Sequence, residues 1–241
     1  MGQLFFINSH WNTMKLSKKL KFLDSPISDN FSHFCLFFYA SSRILLSMDP
    51  IILASKSPQR QDILKRLNIP FISIPSEADE SVAPDLPPEK AVEQIALRKA
   101  EAVLRSPLKI NTPWIISADT LIFSNGTPMG KPADIEDARK MLQSYSNTAH
   151  KVITAICCYD EKLQHISTRI SSSHVFFKAL SEAEIDWYLS TGEWQGAAGA
   201  YRIQGTAACF ITKIEGSYSG IVGLPIYELY DILTEHGYSF T

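Results

Sequence analysis

From Met48 to the C-terminus, short apolar runs of strand length alternate with stretches of helical spacing, without internal repeats or a linker, and this alternation restricts the chain to one α/β domain. Pro50 to Ala54, Phe71 to Ile74, Trp114 to Phe123, Lys151 to Tyr159, Ser173 to Phe177 and Cys209 to Ile214 read as strands. The first intervening helix has Ser57 as N-cap, Pro58 as first helical residue, Ile63, Leu64 and Leu67 on one side, and Asn68 near its exit. A second runs from about Pro88 to Leu104. A third starts near Asp134 and turns Ala138, Met141, Leu142 and Tyr145 inward. Ser181-Glu182-Ala183-Glu184 is a capping box for a short helix that stops before Gly192. Pro225 begins a final helix carrying Leu229, Ile232 and Leu233. Asn125-Gly126 predicts a tight hairpin turn, and Asp160-Glu161-Lys162 a polar one.

The 241 residues are 45% hydrophobic, enough for a real core, which excludes a mainly disordered chain. Twenty-three Lys and Arg stand against 25 Asp and Glu, a net charge of -2. With no global positive field and no basic stripe, the expectation is no nucleic-acid partner. The four cysteines, Cys35, Cys157, Cys158 and Cys209, lack metal-site spacing. Adjacent Cys157 and Cys158 on one strand would point to opposite faces, which argues for a reducing compartment. Residues 1–47 differ in character. Their basic segment MKLSKKLK and apolar run Phe34 to Ala40 faintly suggest a signal peptide, but the run is short and late and is soon followed by Arg43. They are read as an N-terminal extension to a domain at 48–241, and no membrane partner is expected.

Several positions carry more than packing requires. Ser55-Lys56-Ser57-Pro58 leads from a strand into a helix N-terminus, where backbone N–H groups, hydroxyls and the helix dipole favour an anion. Arg60 in the first turn could grip phosphate bidentately; an ordinary βα connection explains the pattern equally well. In the second helix Val92, Ile95, Ala96, Ala100 and Val103 form an apolar stripe with Lys99 in its middle. A lysine there must snorkel or meet an anion, and its central position favours the anion. Asp119 lies inside an apolar strand and must be paired, protonated or metal-bound; a structural salt bridge and a rigidly mounted base or metal ligand both satisfy it. Glu77, Asp79 and Glu80 cluster in a loop and either face solvent or supply the one or two carboxylates a divalent ion needs. Lys131 sits in a kinked Gly-Lys-Pro loop. The segment Gly196 to Gly205 permits close backbone approach, and its Gln204 could read one edge of a base, although composition alone favours a surface turn.

ILASKSPQRQDIL, IALRKAEAV, SADTLIF, GKPADIEDARKML, AGAYRIQG and IVGLPIYEL, in this order from about Pro50 onward, strongly resemble the Maf family of nucleoside triphosphate pyrophosphatases. The resemblance implies a single mixed-sheet α/β domain flanked by helices, of the Maf and inosine-triphosphatase kind. It implies a cytoplasmic, often homodimeric enzyme that uses a divalent cation, Mg2+ or Mn2+, to hydrolyse a nucleoside triphosphate to the monophosphate and pyrophosphate. It places Ser55, Arg60, Lys99 and Lys131 on the phosphates, Glu80 and Asp119 at the metal, and Asp119 as proton acceptor. Thr120 and Gln204 match positions linked to substrate choice, and Ala118-Asp119-Thr120 with Ile203-Gln204-Gly205 resembles the branch preferring dTTP and UTP. The 7-methyl-GTP branch, and a non-catalytic nucleotide-binding regulator of septum formation, are the alternatives. Gln59 departs from both branches, which typically carry arginine or tryptophan there, and a neutral amide forgoes a bidentate cationic contact.

Overall fold

The computed structural model describes residues 48–81, 86–106 and 112–240, so the extension expected at 1–47 lies outside the described residues. Residues Pro50–Tyr238 form one compact unit. Its sheet has seven strands: β1 (Ile51–Leu53), β2 (Phe71–Ser73), β3 (Trp114–Ser124), β4 (Thr127–Pro128), β5 (Ala149–Asp160), β6 (His165–Phe177) and β7 (Ile211–Glu215). The order is β2-β1-β3-β5-β6-β7, with β4 folded back on β3. β1 runs parallel to β2 and β3, and the remaining pairs are antiparallel, so the sheet is mixed as expected.

The register explains where a site can form. β1 accompanies β3 only as far as Leu53↔Ile116, whereas β5 stays beside β3 out to Phe123↔Lys151. Beyond Ile116, β3 has lost its β1 neighbour, and the chain leaving β1 turns through Ser55 into α1 (Pro58–Arg66). Side chains alternate along a strand, so Asp119 points to one face of the sheet and Thr120 to the other.

The face toward Asp119 is covered by α2 (Pro88–Leu104), which buries Val92, Ala96, Ala100 and Val103 against Ile115, Ile153, Ala155 and Cys157. The opposite face carries α3 (Ile135–Tyr145) and α4 (Glu182–Ser190), packed through Leu142, Tyr145, Tyr188 and Phe210 around Ile122 and Val152. Burying each large side chain contributes about 1.5–3 kcal/mol, so the two layers hold β3 firmly between them. Asp134 caps α3, Ser181 and Glu184 complete the capping box of α4, and Asn125 and Gly126 turn with positive φ, all as the sequence predicts.

Three elements depart from the expectation. The second strand of the long hairpin begins at His165 rather than Ser173, because its inward positions Ser167, Ser171 and Ser173 are serines and show no apolar alternation. Ser167 donates to Glu235 and Ser173 to the Ser217 carbonyl, partners far off in the chain. Cys209 lies in a 3-10 turn, Thr206–Phe210, and β7 starts only at Ile211. A short helix, α5 (Tyr218–Val222), precedes the final helix α6 (Ile226–Glu235); Ser217 caps it and Gly223 ends it at φ 120°, a conformation suited to glycine. Cys157 and Cys158 are buried and free. Among the described residues no helix is long and apolar enough to cross a membrane.

Candidate active site

Arg60 is buried, and each of its three guanidinium nitrogens donates one hydrogen bond, leaving one N–H on each Nη for a ligand. Its Nε donates to the Gly223 carbonyl at 2.8 Å, Nη1 to Ser55 Oγ at 3.2 Å and Nη2 to Thr120 Oγ1 at 3.2 Å. Ser57 orients the helix that carries it by accepting from the Arg60 backbone N–H, and Ser57 Oγ donates to Gln59 Oε1 at 3.1 Å. Gln59 is thereby turned onto the helix cap. Thr120 Oγ1 also lies 2.9 Å from Thr154 Oγ1, which donates to the Gly220 carbonyl at 2.7 Å. A continuous chain of hydrogen bonds thus runs from α1 through β3 and β5 to α5, and the guanidinium is aimed by it rather than free to swing. Burial pushes this guanidinium below its usual pKa, against the opposing pull of the Asp119 and Glu80 carboxylates.

On the other face, Lys99 meets the anion that its place in the stripe demands. Its Nζ lies 2.5 Å from Asp119 Oδ1 and 2.8 Å from Glu80 Oε1. The Lys99 and Asp119 side chains are each only 11% exposed, whereas that of Glu80 is 66% exposed. Ser117 Oγ donates to the Ala96 carbonyl at 2.5 Å, pinning α2 to β3 one helical turn from Lys99 and two strand residues from Asp119. Burial raises the Asp119 pKa and outweighs the lowering by Lys99 and Arg60, while nearby Glu80 adds to the rise. The Glu80 pKa is lowered, chiefly by its hydrogen bond from Lys99. Two carboxylates held by one ammonium therefore have opposite tendencies, a buried one inclined to keep a proton and an exposed one inclined to stay ionised.

Ser55, Arg60 and Thr120 thus form one group, and Lys99, Asp119 and Glu80 another, on the two sides of the unpaired edge of β3. Lys131 is exposed; its charge helps lower the Glu80 pKa, and Gly130 beside it accepts from Gly199 N–H at 2.8 Å. Gln204 is exposed in a turn closed by Gly205 N–H donating to the Arg202 carbonyl. No hydrogen bond or ion pair joins Lys131 or Gln204 to either group among the described residues. Glu80 and Asp119 are hard oxygen donors near one ammonium and number the one or two that a magnesium-type ion takes from protein, so this pair fits a divalent cation.

The family model described as Maf-like protein matches residues 50–236, which include every residue of both groups. The chain belongs to this family. Among curated relatives, the dTTP/UTP pyrophosphatase of Treponema denticola is 46% identical over 198 residues, covering 78% of this chain and 97% of that protein. The dTTP/UTP pyrophosphatase of Caldicellulosiruptor saccharolyticus is 42% identical over 192 residues, covering 79% and 96%. The solved Staphylococcus aureus Ham1 protein aligns with 54% of this chain and 72% of its own at 15% identity and a TM-score of 0.40, too loose a likeness to argue from.

Sequence reasoning missed three parts of this Maf-like site. The Gly223 acceptor is a backbone carbonyl, without a side-chain signal. Thr154 looks like an ordinary β-branched strand residue until its pairing with Thr120 is known. Ser117 could have been suspected, being a hydroxyl in an apolar run with a helix to face.

Proposed function

We propose that this Maf-like protein hydrolyses nucleoside triphosphates, dTTP and UTP foremost, to the nucleoside monophosphate and pyrophosphate. The observation that carries the proposal is Lys99, buried and bridging Asp119 to Glu80 beside a buried, pre-aimed Arg60. The names of the curated relatives support the choice of substrate.

In this reading Asp119 orients water toward the α-phosphorus and takes its proton. Lys99 occupies Oδ1, which leaves Oδ2 to receive that proton. The new bond joins the water oxygen to the α-phosphorus, and the bond from that phosphorus to the α,β-bridging oxygen breaks. Lys99, Arg60 and Lys131 offset the charge growing on the departing pyrophosphate, and Ser55 orients a phosphate oxygen. Magnesium or manganese, held by Glu80 and Asp119 with phosphate oxygens, would neutralise further charge there. Thr120 and Gln204 are proposed to act in base choice, with Gln59 held away on the helix cap.

Residues 1–47 take no part in this scheme. The cytoplasm is the expected setting, since the free buried cysteines suit a reducing compartment. The homodimer implied by the resemblance is checked by light scattering. Pyrophosphate release from dTTP, UTP and 7-methyl-GTP, with and without magnesium, tests the whole reading. Release from dTTP and UTP only with the metal is expected; tight binding without release would overturn the catalytic reading in favour of a nucleotide-binding regulator, and release from 7-methyl-GTP alone would overturn the substrate.

A further inference from the structure

At the turn of the long hairpin, where Asp160 of β5 pairs with His165 of β6, three side chains converge that the proposed hydrolysis does not use. His165 opens β6, and Glu235 and His236 close α6. Their His165 Nε2, Glu235 Oε1 and His236 Nε2 atoms surround Ser167 Oγ at 3.1, 2.7 and 2.9 Å. One ligand atom from each of the three residues falls within 4.8 Å of the other two.

The hydrogen bonds here do not balance. Ser167 has one hydroxyl proton and donates it to the Glu235 carboxylate, which can only accept. His236 is buried, its side chain 0% exposed, and its Nδ1 has no hydrogen-bond partner but faces Asp160 Oδ2 at 3.8 Å. With its proton on Nε2, His236 would satisfy Ser167 but turn the Nδ1 lone pair toward a carboxylate. With its proton on Nδ1, the dipole toward Asp160 is favourable, yet the Nε2 lone pair points at a hydroxyl whose proton is already taken. Either neutral tautomer leaves a buried lone pair in the wrong place, an unmet polar group away from water.

We propose that His165, Glu235 and His236 bind a divalent transition-metal ion, zinc(II) foremost, with an open fourth position. The ion accepts the Nε2 lone pairs of both histidines and one oxygen of Glu235, and the Ser167 hydroxyl rotates off the point it now occupies. Two imidazoles and a carboxylate are a donor set suited to zinc. The supports that such sites usually have are in place: Asp160 faces the other nitrogen of His236, Arg169 holds the second oxygen of Glu235, and Trp114 Nε1 donates to the His236 carbonyl at 3.1 Å. The ion would clip the end of α6 to the hairpin turn, adding to the Ser167 hydrogen bonds and the Arg169 ion pairs that already join them.

The test uses the full chain carrying Asp119→Asn and Glu80→Gln, so that the acids of the candidate active site contribute little to binding. After chelator treatment, zinc is titrated by calorimetry, and cobalt(II) is added to read visible ligand-field absorption. One equivalent of zinc, a four-coordinate cobalt spectrum and a zinc-dependent rise in Tm are expected. In the same background His165→Ala and Glu235→Gln should each weaken zinc binding by roughly 100-fold, about the upper end for losing even a supporting partner. His165 is exposed, so His165→Ala should match the parent in Tm under chelator and lose only the zinc-dependent rise. No stoichiometric zinc in the parent, or unchanged affinity in both variants, would overturn the proposal.

Discussion

Replacing Lys99 with methionine separates the two legs of its ion pair. The side chain keeps its length and its place in the apolar stripe, but Asp119 loses its closest cation. Lys99 and Asp119 are both 11% exposed and 2.5 Å apart, so the figure for breaking a buried pair applies, about 3–5 kcal/mol. The Glu80 leg, with its carboxylate 66% exposed, is worth only about 0–1 kcal/mol. Arg60 still bears on Asp119, so the lower end, about 3 kcal/mol, is expected near pH 8. The dependence on pH has a definite sign. Burial raises the Asp119 pKa, so its favourable contribution is whole below the ordinary carboxylate value and is lost as pH rises through the raised one. Without Lys99 that loss is larger, and the Lys99→Met variant should approach wild-type stability on acidification. Urea unfolding across pH, extrapolated to water, measures this, and Lys99→Met combined with Asp119→Asn should recover most of the deficit. A deficit below about 1 kcal/mol that does not change with pH would refute the buried-pair reading.

Four further outcomes are expected. Asp119→Asn should lower kcat by roughly 100- to 10,000-fold with an unchanged circular dichroism spectrum. The acid limb of wild-type kcat/KM should lie above the ordinary carboxylate range, because the base form of Asp119 exists only above its raised pKa; a limb at the ordinary value would point to another base. Thr154→Val removes the hydroxyl that links Thr120 Oγ1 to the Gly220 carbonyl, which keeps its bond from the Gly223 N–H. With two hydrogen bonds lost at about 0.5–1.5 kcal/mol each, it should destabilise the protein in denaturant and raise KM more than it lowers kcat. Gly199→Ala should cost about 2–4 kcal/mol by thermal unfolding, because φ is 67° and a Cβ would stand 2.8 Å from Ile122 Cδ1.

Much of this arrangement could be read in the amino-acid order because it is encoded locally. The bounds of α2, the caps at Ser57, Asp134 and Ser181, and the Asn125-Gly126 turn all depend on a few neighbouring residues, and each lies where the pattern places it. Lys99 stood out because a charge amid Ala96, Ala100 and Val103 violates the helix's own periodicity. Partners chosen across long separations could not be read in the same way. Which groups hold Arg60 depends on Gly223, 163 residues away, and His165 meets Glu235 and His236 only once β6 and α6 are packed. The amino-terminal half of β6 escaped because serines occupy its buried positions, and apolar alternation was the only signal available for a strand.

Arg60 hangs from a glycine carbonyl near the carboxyl end of the chain, and that gives an otherwise uncharged stretch a hold on the phosphate grip. A protein clipped after Glu215 would retain every acid and base assigned to the reaction yet lose the tether that keeps the guanidinium pointing across the sheet. Inactivation by such a cut would report a missing anchor together with the loss of the buried Leu229, Ile232 and Leu233, with the whole chemical inventory still present.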